Sequence, residues 1–585
     1  KKKKKADAGR RFRWLPASDW LASYNREQAA GDTLAAIIVT ILLVPQGLAY
    51  AMLAGMPPET GLYASILPLI LYALFGTSRT LSVGPAALTS LITASAAGTL
   101  AQGDPQLFIQ AAIGMGLLSG LFLVAMAILR LGWLTNLLSH PVITGFISGC
   151  AILIAASQLK HLLRIDASGE ELVTLAQTLA QQLPQTHWLT LAISLIAIAC
   201  LLIPKYLATP LKATRLPGWL VAFISKCGPI LAVLVTTLLT VTLSLDSRGL
   251  AVVGAIPAGL PEFTLPGLGR EHWQSLITPA ALLALIGFVE SISLAQALAA
   301  KRRQRVDANR ELMGLGLANI GSGLSGAFAV TGSFSRTTVN YDAGARTPMA
   351  GLLTGIGIAL VALFFTGWFQ YLPLASLAAI IVVGILPLIN LSELKHLWAF
   401  SRPDALAMAA TLAGVLLINV QSGLLLGVVL SVALFLWRTS QPHVAELGRI
   451  PGTHHFRNMD RHSVELTEEV LSIRVDESLY FGNARTLEDR IYDEAQAHPQ
   501  IQHVVLHCSG INHLDASAME SLESLNERLK NAGVTLNLSN VKGPVMDVLV
   551  KTDFPKVLTG RVYLSHYQAM EVLAPDSLQE QDPDA

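Results

Sequence analysis

A polytopic α-helical membrane domain of fourteen segments, followed by a cytoplasmic α/β domain, is the fold class that the sequence predicts. Three observations predict it. The 585 residues are 52% hydrophobic and only 14% charged, where a soluble chain carries about 25% charge. The hydrophobic runs up to about residue 440 fall into two sets of seven, each with one short, polar-interrupted segment at its third position. From about 440 the composition changes abruptly, charges and histidines become frequent, and no further span is possible.

In chain order, residues 1–30 read as a cytoplasmic basic lead. Five lysines and Arg10, Arg11 and Arg13 open it, with no apolar region of signal-peptide type behind them. A short interfacial helix is expected over 16–30, opened by Pro16, with Trp20 and Leu21 on its apolar side and Trp14 and Leu15 just ahead. The transmembrane domain spans 31–440. Its first repeat, 31–250, holds segments near 32–53, 62–75, 85–98, 107–129, 136–157, 187–204 and 229–246. Its second repeat, 270–440, holds 276–300, 312–330, a half-helix from 335, 348–367, 372–389, 404–419 and 421–438. Pro45 and Gly47 interrupt the first span, where freed backbone groups need neighbours or a wet cavity.

The two half-helices organise the rest. TGSFSRTTVNYDAG, residues 331–344, is polar inside more than a hundred apolar residues and too short to cross a bilayer of about 30 Å. SVGPAALTSLITASAAG, residues 82–98, is its counterpart, with Pro85 placed at a first helical position. A helix start exposes unpaired N–H donors and about half a positive charge. At mid-membrane depth such an end is an anion site, and Arg336 on the first turn strengthens it. Short interrupted segments at matching positions of two halves mark a secondary transporter of inverted repeats. The halves also share a tetrapeptide, Leu159-Lys160-His161-Leu162 ending the fifth span and Leu394-Lys395-His396-Leu397 ending the twelfth.

Loop charges set orientation. With a cytoplasmic N-terminus the inner loops hold Arg79, Arg130, Lys205, Lys212, Arg215, Lys226, KRRQR at 301–305, Arg310, Arg346, Lys395 and Arg402. The outer loops hold Lys160, Arg164, Arg248 and Arg270. Both termini are therefore expected in the cytoplasm. Beyond the membrane domain, residues 441–575 alternate strand-like runs (VLSIRV, HVVLHC, VTLNLS) with helical patterns at 482–497, 516–532 and 543–552, so helices against one sheet are expected. The acidic tail, 576–585, is expected to be disordered.

Composition also excludes classes. A net charge of +1 gives no field for nucleic acid. The four cysteines have no short spacing, so neither a metal site nor a disulfide framework follows. No nucleophile triad or Walker motif appears, and GSGLSG at 321–326 lacks the lysine of a phosphate loop, so no enzyme is expected.

The run from Pro45 to Pro85, PQGLAYAMLAGMPPETGLYASILPLILYALFGTSRTLSVGP, is similar to the most characteristic stretch of the SulP (sulfate permease, prestin-related) family. HPVITGF, ALIGFVESIS at 284–293 and SGAFAVTGSFSRTTVN at 325–340 extend the resemblance, and the tail resembles a STAS domain. The resemblance implies a core and a gate domain, a homodimer, and an anion site between the third and tenth helices. By motif, that site takes Gln46 and Tyr50 from the first span, Pro85, Ala86 and Ala87 from the third, and Ser335 and Arg336 from the tenth. Gln46 could instead bond the backbone freed by Pro45, and Tyr50 could be an interfacial anchor.

Glu290 falls near the middle of the eighth span, where a carboxylate costs about 2.5–3.5 kcal/mol on insertion scales. It suits proton coupling, with a static ion pair to Arg336 as the plain alternative. Ser291 and Ser293 beside it keep sodium open. In the STAS part, Asp515 and Ser517 match the serine-bearing turn of antagonist proteins, but Ala516 replaces one hydroxyl of the usual pair, and Asp515 also reads as a plain N-cap. The expected activity is proton-coupled symport of a small oxyanion, sulfate first, with no cofactor beyond the coupling ion. Bicarbonate with sodium, or a dicarboxylate such as fumarate with protons, is the alternative. An anion channel or exchanger, or a signalling scaffold with a cytoplasmic STAS partner, stands behind these.

Overall fold

A computed structural model describes residues 16–578 apart from 134–138, 168, 170, 212–220, 222, 223 and 226. It divides into two compact units, one up to Ser431 and one from Val432 onward. The lysine lead, Trp14, Leu15, Lys212, Arg215, Lys226 and residues 579–585 lie outside the described residues.

The first unit is helical. Its elements are α1 (Ala17–Leu21), α2 (Arg26–Leu53), α3 (Pro58–Tyr63), α4 (Leu67–Phe75), β1 (Val83–Gly84), α5 (Ala87–Ala101), α6 (Pro105–Ile128), α7 (His140–Leu163), α8 (Leu172–Gln182), α9 (Trp188–Leu211) and α10 (Gly228–Leu243). The second half continues with α11 (Arg270–Lys301), α12 (Ala308–Leu324), β2 (Thr331–Gly332), α13 (Phe334–Asp342), α14 (Met349–Phe364), α15 (Leu374–Ile385), α16 (Ser392–Phe400), α17 (Arg402–Leu417) and α18 (Val420–Ser440). Every one of the fourteen expected segments falls on a helix, the second on the α3–α4 pair. Among the described residues, eight helical stretches are long and apolar enough to cross a membrane.

The packing repeats between halves. α6 packs on α11 and α12, as α14 packs on α2 and α4; α5 meets α11 as α13 meets α2. Exchanging each helix for the one seven segments later reproduces these contacts. A second group forms where α7 packs on α15 and α17, and α9 on α15. Small residues allow the closest crossing: a Cβ on Gly120 of α6 would stand 2.7 Å from the Gly316 carbonyl oxygen of α12.

Three expectations need correction. The interfacial helix over 16–30 is only the five residues of α1, because Asn25 and Gln28 form a reciprocal capping box that starts α2 at Arg26. Trp20 is buried rather than presented at a headgroup surface. Pro45 does not interrupt the first span, since α2 runs through it as one helix. The shared tetrapeptide is not equivalently built. Leu159–Leu162 lies in the continuous α7, whereas α15 ends at Ile385 before a 3₁₀ turn containing Pro387. Asn390 then accepts from the Glu393 N–H and opens α16, which carries Leu394–Leu397.

Buried carboxylates fasten the loops. Glu311 of α12, fully buried, accepts from the Tyr72 hydroxyl at 2.6 Å, the Thr77 N–H at 2.6 Å and the Ser78 N–H at 3.0 Å. Asp32 of α2 accepts from the Arg346 N–H at 2.7 Å and the Thr347 N–H at 3.1 Å. Each charge is held by three or more donors, which offsets its burial.

The second unit is a six-stranded sheet in the order β4-β3-β5-β6-β7-β8. Its strands are β3 (Val444–Arg449), β4 (Phe456–Asn458), β5 (Val470–Val475), β6 (His503–His507), β7 (Thr535–Ser539) and β8 (Val562–Tyr563). Strands β5 to β8 run parallel, and β3 is antiparallel to both its neighbours. The helices are α19 (Ala484–Ala497), α20 (Ala516–Asn531), α21 (Gly543–Lys551), α22 (Phe554–Val557) and α23 (His566–Leu573). Strand alternation divides the core: Leu471, Ile473, Val504 and Leu506 face α19, α20 and α21, while Val470 and Val505 face α23. The first residues of the expected disordered tail close a 3₁₀ turn, Pro575–Leu578.

His566 sits under this sheet, its ring nitrogens 3.0 Å from the Ser539 and Ser472 hydroxyls. Burial, then His507, push its pKa from 6.5 down to about 3, and burial pushes His507 down to about 4. A histidine held neutral in the fold contributes stability that is fully present above pH 6.5 and is lost as pH falls towards the folded value. Hydrogen exchange of β5 and β7 amides in the full chain, corrected for intrinsic rates, should therefore lose protection between pH 6.5 and 4, and His566→Asn should weaken that dependence.

Candidate functional site

The two half-helices meet through a two-stranded antiparallel ribbon. Val83 pairs with Gly332 and Gly84 with Thr331, and the Ser333 N–H donates to the Ser82 carbonyl at 3.1 Å. Because the strands run in opposite directions, α5 and α13 leave the ribbon oppositely, with their N-termini at its two ends. Pro85 is not in the first helical turn. The ribbon and the extended Ala86 (φ −140°, ψ 156°) delay the start of α5 to Ala87, so Ala86 is the N-cap and Pro85 precedes it.

Neither start is capped by a side chain. Ala86 has nothing to offer, and the Ser333 hydroxyl lies 3.3 Å from that of Ser335 instead. The first-turn N–H groups keep their partial positive charge unanswered. Pro85, Ala86 and Ala87 are all buried, which leaves only backbone and methyl groups at this end. Phe334 and Ser335 are exposed, Phe334 to 58%, whereas the following residues of α13 up to Tyr341 are buried or half-buried. They mark an opening at the start of α13.

Arg336 follows on the same turn and is 1% exposed, the largest fully buried side chain described. One Nη1–H donates to the Gln46 Oε1 of α2 at 3.5 Å, while Nε and Nη2 have no partner. Gln46 thus turns to the guanidinium. A Cβ on Gly84 would stand 3.1 Å from Nη2, so glycine there permits the approach. Tyr50, one turn after Gln46, is buried within electrostatic reach of both Arg336 and Glu290.

Glu290 is joined to the ribbon through its neighbours. The Ser291 hydroxyl accepts from the Gly332 N–H at 2.9 Å and lies 2.8 Å from the Thr331 hydroxyl, which donates to the Gly287 carbonyl at 2.8 Å. The Glu290 Oε2 is buried without a hydrogen-bond partner, and no ion pair with Arg336 within 4.0 Å forms among the described residues. The static pair weighed from sequence is absent.

Ser90 and Thr93 of α5, both fully buried with unpartnered hydroxyls, were not singled out from sequence. A hydroxyl at i and i+3 of an apolar half-helix was the available signal. In the second unit, Asp515 caps α20: one carboxylate oxygen accepts from the Ala518 N–H at 2.8 Å and the other from the Phe481 N–H at 2.9 Å. Ser517 is exposed in the first turn.

Residues 30–411 match the Sulfate permease family and residues 462–569 the STAS domain. The chain belongs to the sulfate permease family. Sulfate transporter 4.1, chloroplastic, of Arabidopsis thaliana is 35% identical over 541 residues, covering 90% of this chain and 77% of that protein. High affinity sulfate transporter 2 of Stylosanthes hamata is 31% identical over 556 residues, 91% of this chain and 82% of that one. The solved structure of SLC26A9 aligns at a TM-score of 0.89 with 21% identity, covering 98% of this chain and 95% of that chain. The transmembrane domain of the cyanobacterial bicarbonate transporter BicA aligns at 0.58 with 23% identity, covering 70% and 98%. This sulfate permease family chain therefore has the SLC26 transporter fold with a C-terminal STAS domain, and it is a multi-pass membrane transporter.

Ser291→Ala should leave the Gly332 N–H buried without an acceptor, at a cost of about 1–3 kcal/mol. A lower unfolding temperature of the purified protein is the expected result.

Proposed function

We propose that this anion transporter is a proton-coupled symporter of a small oxyanion, sulfate foremost, working by alternating access. The observation that carries this reading is the Arg336 guanidinium, buried with two nitrogens unmatched beside two uncapped helix starts. A tetrahedral dianion would satisfy those donors together, with Gln46, Tyr50, Ala87 and Ser335 around it and the Ser90 and Thr93 hydroxyls available on α5. The names of the sulfate-transporting relatives support the choice of ion.

Glu290 is the proposed proton carrier, the partner-free carboxyl of the site. Protons are favoured over sodium because the nearby hydroxyls are engaged: Ser291 with the ribbon, and Ser293 donating to the Val289 carbonyl at 2.7 Å. Protonation of Glu290 on loading would bring the pocket to a net charge of about −1 instead of the −2 that the dianion alone would give, and let the core group, with its half-helices, shift against the α7, α9, α15 and α17 group. Residues 31–440 form the transport domain in this reading and 441–575 the STAS domain. The protein sits in the cell membrane as a homodimer with both termini cytoplasmic, and the STAS domain takes a cytoplasmic partner. Asp515 acts there as a helix cap, and Ser517 is the exposed hydroxyl that such a partner or a kinase would reach.

Uptake of labelled anions into proteoliposomes, with pH and sodium gradients imposed separately, tests the reading. An inward proton gradient should drive sulfate uptake and a sodium gradient should not. Arg336→Gln should abolish sulfate binding and uptake. Glu290→Gln should bind sulfate but lose acid stimulation; undiminished acid-driven uptake in that variant would remove Glu290 from the coupling step.

A further inference from the structure

The basic cluster at 301–305 acts above only as a topology signal, yet part of it walls a cavity of about 580 Å³ that is separate from the half-helix site. The cavity lies where the connections after α4 and between α11 and α12 emerge, and α1 closes one side. Arg79 comes from the first connection; Arg303 and Arg305 come from the second, and Arg310 from the first turn of α12.

None of these four guanidiniums has a hydrogen-bond or ion-pair partner among the described residues. Their neighbour Arg302 behaves differently: it donates to the Ala345 and Tyr341 carbonyls and stacks 4.1 Å over the Tyr341 ring. The two carboxylates in the wall do not neutralise the set. Asp307 is occupied with the Asn309 and Arg310 N–H groups as the cap of α12, and four arginines against Asp19 and Asp307 leave a formal charge of +2.

Trp20 supplies the independent observation. It stands in the same wall, is 5% exposed, and its indole Nε1 is buried with no acceptor. A buried N–H donor without a partner costs free energy that an incoming oxyanion would recover. Guanidinium forks match phosphate oxygens two at a time, and a volume of this size suits a small organic molecule rather than a bare tetrahedral ion.

We propose that this cavity is a second anion site that binds the phosphate group of a larger ligand, a phospholipid headgroup or a soluble phosphate ester, independently of Arg336. Its wall includes Thr77, whose N–H and hydroxyl donate to Glu311, so an occupant would rest against the strap between α4 and α12, the helices that lead into β1 and β2.

Phosphatidic acid, phosphatidylcholine of the same acyl chains, and glycerol 3-phosphate are the probes, each titrated onto the purified full-length protein and followed by native mass spectrometry. Wild type should retain phosphatidic acid over phosphatidylcholine, and Arg303→Gln combined with Arg305→Gln should weaken that retention by about tenfold or more. Trp20→Phe, which removes one donor and no charge, should weaken it several-fold, and Arg336→Gln should leave it unchanged. Displacement of the lipid by glycerol 3-phosphate would assign the site to soluble esters, and failure of displacement to the headgroup. The proposal is overturned if neither phosphate probe binds wild type, if the double variant binds them as wild type does, or if Arg336→Gln loses them too.

Discussion

The pairing of Val83–Gly84 with Thr331–Gly332 is the contact on which the membrane unit depends. Four residues from opposite halves of the chain form an antiparallel ribbon where regular helix would otherwise continue. Non-helical backbone at membrane depth is tolerable only where protein or a wet cavity satisfies it. Here the satisfaction is complete on one side: Ser291 takes the Gly332 N–H, Thr337 accepts from the Ser82 N–H at 3.0 Å, and the Asn340 amide donates to the Thr80 carbonyl at 2.9 Å. On the other side the first turns of α5 and α13 remain without a side-chain cap. The same ribbon that stitches the two repeats together also aims their helix starts.

Buried charge in this protein sorts by its partners. Glu311 and Asp32 are surrounded by donors and hold loops in place, and no further role is required of them. Arg336, buried, and Glu290, half-buried, lie in the same unit but keep buried polar atoms without protein partners. A charge left in that condition is costly unless something else completes it. In the proposed reading, the carboxylates that hold loops and the one that carries a proton differ in the count of donors each receives.

Much of this was legible in the sequence because membrane solvent imposes simple rules. A polar stretch too short to span, TGSFSRTTVNYDAG, announced the half-helix and Arg336 without any structure. The fourteen segments followed from hydropathy, and strands β5, β6 and β7 from their apolar runs. What was not legible depended on contacts distant in sequence. Pro85 has the right chemistry for a first helical position, but the ribbon moves the helix start to Ala87. Trp20 resembles an interfacial anchor, yet it folds into a cavity wall. The short strands β3, β4 and β8 take their conformation from neighbours rather than from their own pattern. Ser90 and Thr93 were not singled out from sequence, and only their lack of partners in the fold sets them apart.

Location of a heavy-atom substitute for the oxyanion is the most direct measurement. Selenate scatters anomalously and has the shape and charge of sulfate, so a crystal structure of the protein grown in selenate would place the ion without reference to activity. The selenium peak is predicted between the N-termini of α5 and α13, against the Arg336 guanidinium. A peak confined to any other place in the membrane unit, with the space beside Arg336 empty at saturating selenate, would contradict the claim that two helix starts and one buried arginine hold the transported anion.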